Sequence, residues 1–156
     1  MNDGDLYGLL IPVLEGRLLV PRACVAEVTA MQGLQDMPGA PPWYLGLAPW
    51  NGRSIPVVSF EGACGRHMPP AGGRARIVVF TCLGQKLPAG HFGIVTQGFP
   101  QLVQVSASVI KPEQSMVFGD RAPILCQVRM VNEIPLIPDL ERLEEMIADE
   151  TTVTAA

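Results

Sequence analysis

Apolar residues in this chain come in short runs, broken at close intervals by glycine, proline, asparagine or paired polar residues. Leu6–Leu14 and Arg17–Pro21 are two such runs, meeting at Glu15-Gly16 in a tight turn. Cys24–Ala30 alternates loosely. Met31–Pro42 reads as an irregular loop whose Pro41-Pro42 suits the start of a short helical turn, because proline at a first helical position forfeits no hydrogen bond. The next two runs flank Asn51-Gly52, the strongest short-range hairpin signal, since both central residues of a type I′ turn need positive φ. Glu61–Gly73, dense in glycine and proline, predicts a connector. Beyond it, Arg74–Leu83 and Gly90–Gln97 read as strands around a turn at Gly84-Gln85, and Leu102–Val105 alternates. Lys111–Pro123 reads as a loop, and Ile124–Met130 pairs with Ile134–Ile137 across Val131-Asn132-Glu133. Many short strands with frequent turns specify an all-β barrel or sandwich rather than an α/β sheet.

One helix is predicted. Asp139 can cap it, and Leu140, Leu143, Met146 and Ile147 recur at helical spacing. Glu141, Glu144, Glu145, Asp149 and Glu150 fill its remaining positions and read as a solvated acidic face. Thr151–Ala156 is expected to fray.

Composition narrows the function. The 156 residues suit one domain, or two small barrels sharing a core. Hydrophobic content of 48% against 17% charged predicts surfaces that partners cover, and leaves self-association through barrel edges open. The net charge is −4 and the basic residues are scattered, so the electrostatic footprint of nucleic-acid binding is missing. No apolar run reaches the ~18 residues of a membrane-spanning helix, and the acidic start MNDGDLYG lacks the basic segment of a secretion signal. Cys24, Cys64, Cys82 and Cys126 could form two disulfides, but without a secretion signal the expectation is buried, reduced thiols and a cytoplasmic protein.

Catalysis finds little support. Cys64 and His67 could form a nucleophile–base pair, yet two residues in a glycine-bearing loop lack an orienting third group and an oxyanion site. They supply only two ligands of a zinc tetrahedron, and His91 stands in a strand pattern with no cysteine nearby. A hydrolase or metal protein centred on Cys64 and His67 is therefore the remote alternative, and no cofactor is expected.

The run Met37–Phe60, MPGAPPWYLGLAPWNGRSIPVVSF, resembles the signature of the CheW-like domain family. That signature reads proline, a small residue, Ala-Pro, an aromatic, two residues, Gly-Val-Ile-Asn-Leu-Arg-Gly, three residues, then Pro-Val-Ile-Asp-Leu. Pro38, Ala40-Pro41, Trp43, Gly46, Gly52, Pro56, Val57 and Val58 fall in register. The opening EGRLLVPRACVAEV, with Val25, Glu27 and Val28, is similar to the family's start. FGIVTQGFPQLVQVSASVIKP resembles its Gly-Leu-Val-Val-Asp segment, and IPLIPDLERL its ending. Three charged family positions differ: Asn51 stands for Arg, Ser59 for Asp and Gln97 for Asp. The Trp-bearing hairpin and the Ile-Pro-Asp-Leu ending are most similar to the ChpC-type accessory members of type IV pilus (twitching motility) chemosensory systems.

The resemblance implies two intertwined, five-stranded SH3-like β-barrels with a short C-terminal helix, spanning residues 5–147 and followed by a tail at 148–156. The first barrel would hold mainly 17–62, a connector 61–73, and the second barrel 74–138 plus the N-terminal strand. It further implies a non-enzymatic adaptor, with no cofactor, whose groove takes the cytoplasmic tip of a methyl-accepting chemoreceptor and whose barrel ends take the regulatory domain of a CheA-like histidine kinase. The alternative is a divergent modulator that binds only one of the two. Candidate contact residues are Val25, Gly46, Trp50, Asn51, Gly52 and Phe99. Against contact stand ordinary roles: core for Val25, Trp50 and Phe99, and relief of backbone crowding for Gly46.

Overall fold

A computed structural model describes residues 6–14, 16–68, 70, 73–106, 110–113 and 122–155. The predicted turn residue Glu15, part of the 61–73 connector, most of the 111–123 loop and Ala156 lie outside the described residues. The elements are β1 (Leu6–Val13), β2 (Gly16–Pro21), a single 3₁₀ turn (Arg22–Cys24), β3 (Val25–Ala30), β4 (Tyr44–Trp50), β5 (Arg53–Val58), α1 (Phe60–Ala63), β6 (Arg76–Thr81), β7 (His91–Thr96), β8 (Gln101–Val105), β9 (Lys111–Glu113), β10 (Ile124–Arg129), β11 (Leu136–Pro138) and α2 (Leu140–Ala155).

The strands form two sheets, ordered β8-β1-β2-β11-β10-β9 and β3-β6-β7-β5-β4. The five-stranded sheet is contiguous in sequence, from Val25 to Thr96, and sits as an insertion within the six-stranded one. The barrels therefore do not follow the halves expected from the connector. β2 pairs with β1 and, in parallel, with β11, while β6 and β7 join β3 and β5. The sixth strand is β9, which pairs with β10 at three positions of the expected loop.

The five-stranded sheet curls until its outer strands meet. Gln35, in the segment after β3, exchanges two 2.8 Å backbone hydrogen bonds with Leu47 of β4. Trp50, at the end of β4, donates its indole N–H to Glu27 Oε2 on β3 at 3.1 Å. Alternation then sorts side chains to two sides of each sheet. Ile55, Val57, Ile77 and Val79 fill the interior of this sheet, while Val58, Val78, Phe80 and Ile94 face a central core shared with Ile11, Leu18 and Val20 of the other sheet. Leu10, Leu19 and Val128 form a smaller third cluster inside the six-stranded sheet. Strands buried on both faces read as unbroken apolar runs, which is why the sequence shows little alternation.

α2 closes the central core with Leu140, Leu143 and Ile147, and Asp139 Oδ1 accepts the Arg142 N–H at 3.0 Å, capping it as expected. Its acidic positions are not uniformly solvated. Glu144 is fully buried, accepting the backbone N–H groups of Leu83 (2.9 Å), Gly84 (3.0 Å) and Lys86 (2.7 Å). This clamp holds the β6–β7 connection, where a turn is expected at Gly84-Gln85 and Gln85 takes φ 54°, as an ordered loop. The helix also continues past the expected tail boundary: Thr151 Oγ1 donates to the Ile147 carbonyl and contacts the Tyr44 hydroxyl at 3.0 Å.

Candidate partner-binding surfaces

The β4–β5 hairpin is built as its sequence demands. Asn51 has φ 50° and Gly52 φ 76°, both left-handed, and Trp50 pairs with Arg53 to close the turn. Asn51 and Gly52 are exposed at the tip. Trp50 beneath them is half-buried and held from two sides, by its bond to Glu27 and by the His91 ring at 4.6 Å between centroids. Arg53 donates to the Ala89 carbonyl at 3.1 Å. The tip is thus a fixed edge in which Trp50 serves both as core neighbour and as support for an exposed turn. Glu27 and His91, which hold it, were missing from the candidate set. Glu27 carried a signal, its place in the Val-x-Glu-Val run, and His91 carried none.

Gly46 is buried, with φ +145°, and a Cβ there would run into the Gln35 carbonyl. It lets the Gln35 segment cross β4, which is the crowding role set beside its candidacy as a contact. Val25 opens β3 half-buried against the central core. Phe99 is 67% exposed and stands out from the core, with the Arg76 guanidinium 4.7 Å above its ring. Ser59 is buried and N-caps α1, accepting the Gly62 N–H at 3.1 Å. Its exchange for the family's aspartate therefore alters a cap and not a surface charge, since both residue types cap well.

Beside the 3₁₀ turn that leads into Val25 lies an apolar trough of about 600 Å³. Its walls are Leu6, Tyr7, Leu19, Val105, Ile110 and Ile137. Leu6 and Tyr7 are 69% and 53% exposed, so the trough is a standing apolar surface at the mouth of the six-stranded sheet.

Cys64 and His67 line a different cavity, and no hydrogen bond joins them among the described residues. Burial pushes the Cys64 thiol up to about 11, Arg66 partly offsetting and Glu61 adding to the rise, so the thiolate a nucleophile requires is suppressed at neutral pH. Burial, with the Glu144 charge, pushes Cys82 up to about 12. Cys126 is exposed where a buried thiol was expected. Among the described residues no three His, Cys, Asp or Glu side chains gather as a metal site, and no helix is long and apolar enough to cross a membrane.

Residues 7–147 match the model of the CheW-like domain. The chain belongs to the CheW-like domain family. Its structure is similar to the crystal structure of the scaffolding protein TtCheW from Thermoanaerobacter tengcongensis, with a TM-score of 0.75 and 18% identity over 89% of this chain and 92% of that one. No curated protein sequence matches it. At that identity the likeness carries the fold, and the two curled sheets of this CheW-like domain are its two SH3-like barrels. CheW-like proteins are non-enzymatic scaffolds, and at the level of the family so is this one.

Proposed function

We propose that this CheW-like domain is a cytoplasmic coupling scaffold that joins the tip of a methyl-accepting chemoreceptor to the regulatory domain of a CheA-like histidine kinase, in a ChpC-type system serving type IV pili. The observation that carries the reading is the apolar trough bordered by exposed Leu6 and Tyr7, two residues of chain away from Val25 at its Ala23 edge. An apolar helical tip would bury that surface at roughly 25 cal/mol per Å². The kinase would dock on the Asn51-Gly52 tip and the Trp50 edge, with Phe99 as a further exposed anchor. Signal would pass by geometry: a closed sheet held by the Trp50–Glu27 bond moves as one body, so a shift at the trough alters the angle at which the tip meets the kinase.

A second reading rests on Asn51. The family's arginine would offer a charged five-donor fork where this tip offers a neutral amide, which favours a modulator bound to one partner only. Calorimetric titration against each partner separately decides. Two positive titrations support the bridge, one supports the modulator, and none against the cognate pair overturns both.

A further inference from the structure

Asn51 is the one asparagine of the chain that precedes a glycine; Asn2 precedes Asp3 and Asn132 precedes Glu133. The dipeptide suits the hairpin turn, and it also carries a reaction of its own. A backbone nitrogen can attack the side-chain carbonyl carbon of the asparagine before it, and glycine, lacking a Cβ, hinders that approach least. Three features of the tip leave the reacting groups free. Asn51 and Gly52 are both exposed. Neither the Asn51 amide nor the Gly52 N–H has a hydrogen-bond partner among the described residues. No atom beyond its chain neighbours lies within 4 Å of where a Gly52 Cβ would stand, so the nitrogen is uncrowded.

The folded turn restrains this reaction. Asn51 at φ 50° and Gly52 at φ 76° hold the turn closed above the Trp50–Arg53 pair. Ring closure ties the Gly52 nitrogen to Asn51 Cγ, so the hairpin end must fray first. Two anchors oppose fraying: the Trp50 indole N–H donates to Glu27 at 3.1 Å, and the Arg53 guanidinium donates to the Ala89 carbonyl at 3.1 Å. We propose that the hairpin tip is a deamidation site at Asn51, gated by these two anchors. The Gly52 nitrogen gives up its proton and bonds to Asn51 Cγ. The Cγ–NH₂ bond breaks, the amide nitrogen leaves as ammonia, and a five-membered imide remains. Water opens the imide at either carbonyl, leaving aspartate or isoaspartate. Either product adds a negative charge at a position where the family signature has arginine. Isoaspartate also lengthens the backbone by a methylene, which a two-residue turn absorbs only by releasing an anchor. The modification runs one way and rests on the chemistry of the tip alone, independently of the coupling role.

The test incubates the full chain in mildly alkaline buffer, digests samples over time, and resolves amide, aspartyl and isoaspartyl peptides by chromatography and mass spectrometry. The expected result is loss of the amide at Asn51 with both products formed, while Asn132, also exposed between β10 and β11, keeps its amide. Loss should run roughly tenfold more slowly than in a synthetic peptide spanning residues 47–56, because fraying an exposed hairpin end costs little. Trp50→Phe should speed it about fivefold, the population gained by the open tip when one hydrogen bond is removed. Arg53→Ala, at an exposed position, should act in the same direction through the Ala89 carbonyl. An Asn51 that keeps its amide while the peptide converts fully, equal loss at Asn132, or an unchanged rate in both variants would each overturn the proposal.

Discussion

Glu144 offers the sharpest test of how this domain is held together. Its carboxylate takes three backbone N–H groups of the β6–β7 loop, two on Oε1 and one on Oε2, and Lys86 Nζ of that loop also donates to the neighbouring Glu145 at 3.1 Å. In Glu144→Gln, the amide carbonyl can keep the Leu83 and Gly84 bonds in neutral form. The amide NH₂ then faces the Lys86 N–H, donor against donor. One charge-assisted bond is lost, two are weakened and one donor is stranded, which together should cost about 2–4 kcal/mol. For a domain of this size that lowers Tm by roughly 5–15 °C. Glu141→Gln, on the exposed side of the same helix, should stay within about 0.5 kcal/mol of the native protein. Urea unfolding followed by tryptophan fluorescence measures both, with an unchanged m value showing that stability alone has moved. Cys82 gives a second readout. Burial and then the Glu144 charge hold its thiol near 12, so removing the charge should lower that value and speed its reaction with a thiol reagent. A Glu144→Gln variant as stable as Glu141→Gln would refute the clamp.

Stability should fall as pH rises above about 9, because the unfolded thiols ionise there while folded Cys64 and Cys82 stay protonated to about 11 and 12. Urea midpoints under reducing conditions should show this slope, and a Cys64→Ser, Cys82→Ser double variant should flatten it. Gly46→Ala should cost about 2–4 kcal/mol, from strain at positive φ together with collision against the Gln35 carbonyl, and a melting curve matching the native one would contradict the crossing described for β4. Trp50→Phe keeps a ring against His91 but removes the donor to Glu27, so it should cost about 1 kcal/mol and speed hydrogen exchange at Leu47. Asn51→Arg should cost about 1 kcal/mol, because arginine pays for the left-handed backbone that asparagine tolerates, and should tighten calorimetric binding to a kinase regulatory domain; unchanged binding would remove the tip from the kinase face.

What the sequence disclosed was what depends on neighbours in the chain. The Asn51-Gly52 turn was legible because left-handed φ at two consecutive residues admits few residue types, and the α2 cap because Asp139 needs only the N–H three residues on. Sheet membership was hidden. The parallel pairings of β5 with β7 and β2 with β11 join distant segments, and strands apolar on both faces give no alternation to say which side meets which sheet. Glu144 looked like any other acid on a charged helix, because the three N–H groups that define its role belong to a loop about sixty residues earlier. Phe99 is a contact candidate with a core alternative, and nothing local in its sequence decides between them; its exposure follows from the turn that carries it between β7 and β8. In the candidate surfaces, the hairpin tip was visible in advance and its supports, Glu27 and His91, were not.

The insertion of one barrel within the other sets an order of events at the ribosome. β3–β7 can close as soon as Thr96 has emerged, whereas β1 and β2 must wait for the rest of their sheet until Pro138 is made. Through that interval Leu18, Leu19 and Val20, buried in the finished protein, have no β11 to cover them. At synthesis rates of ~5–20 residues per second the delay lasts seconds, long against hairpin formation. The nascent domain therefore carries an unfinished apolar edge at its N-terminus, open to chaperone capture or to mispairing with a neighbouring chain, until its last strand arrives.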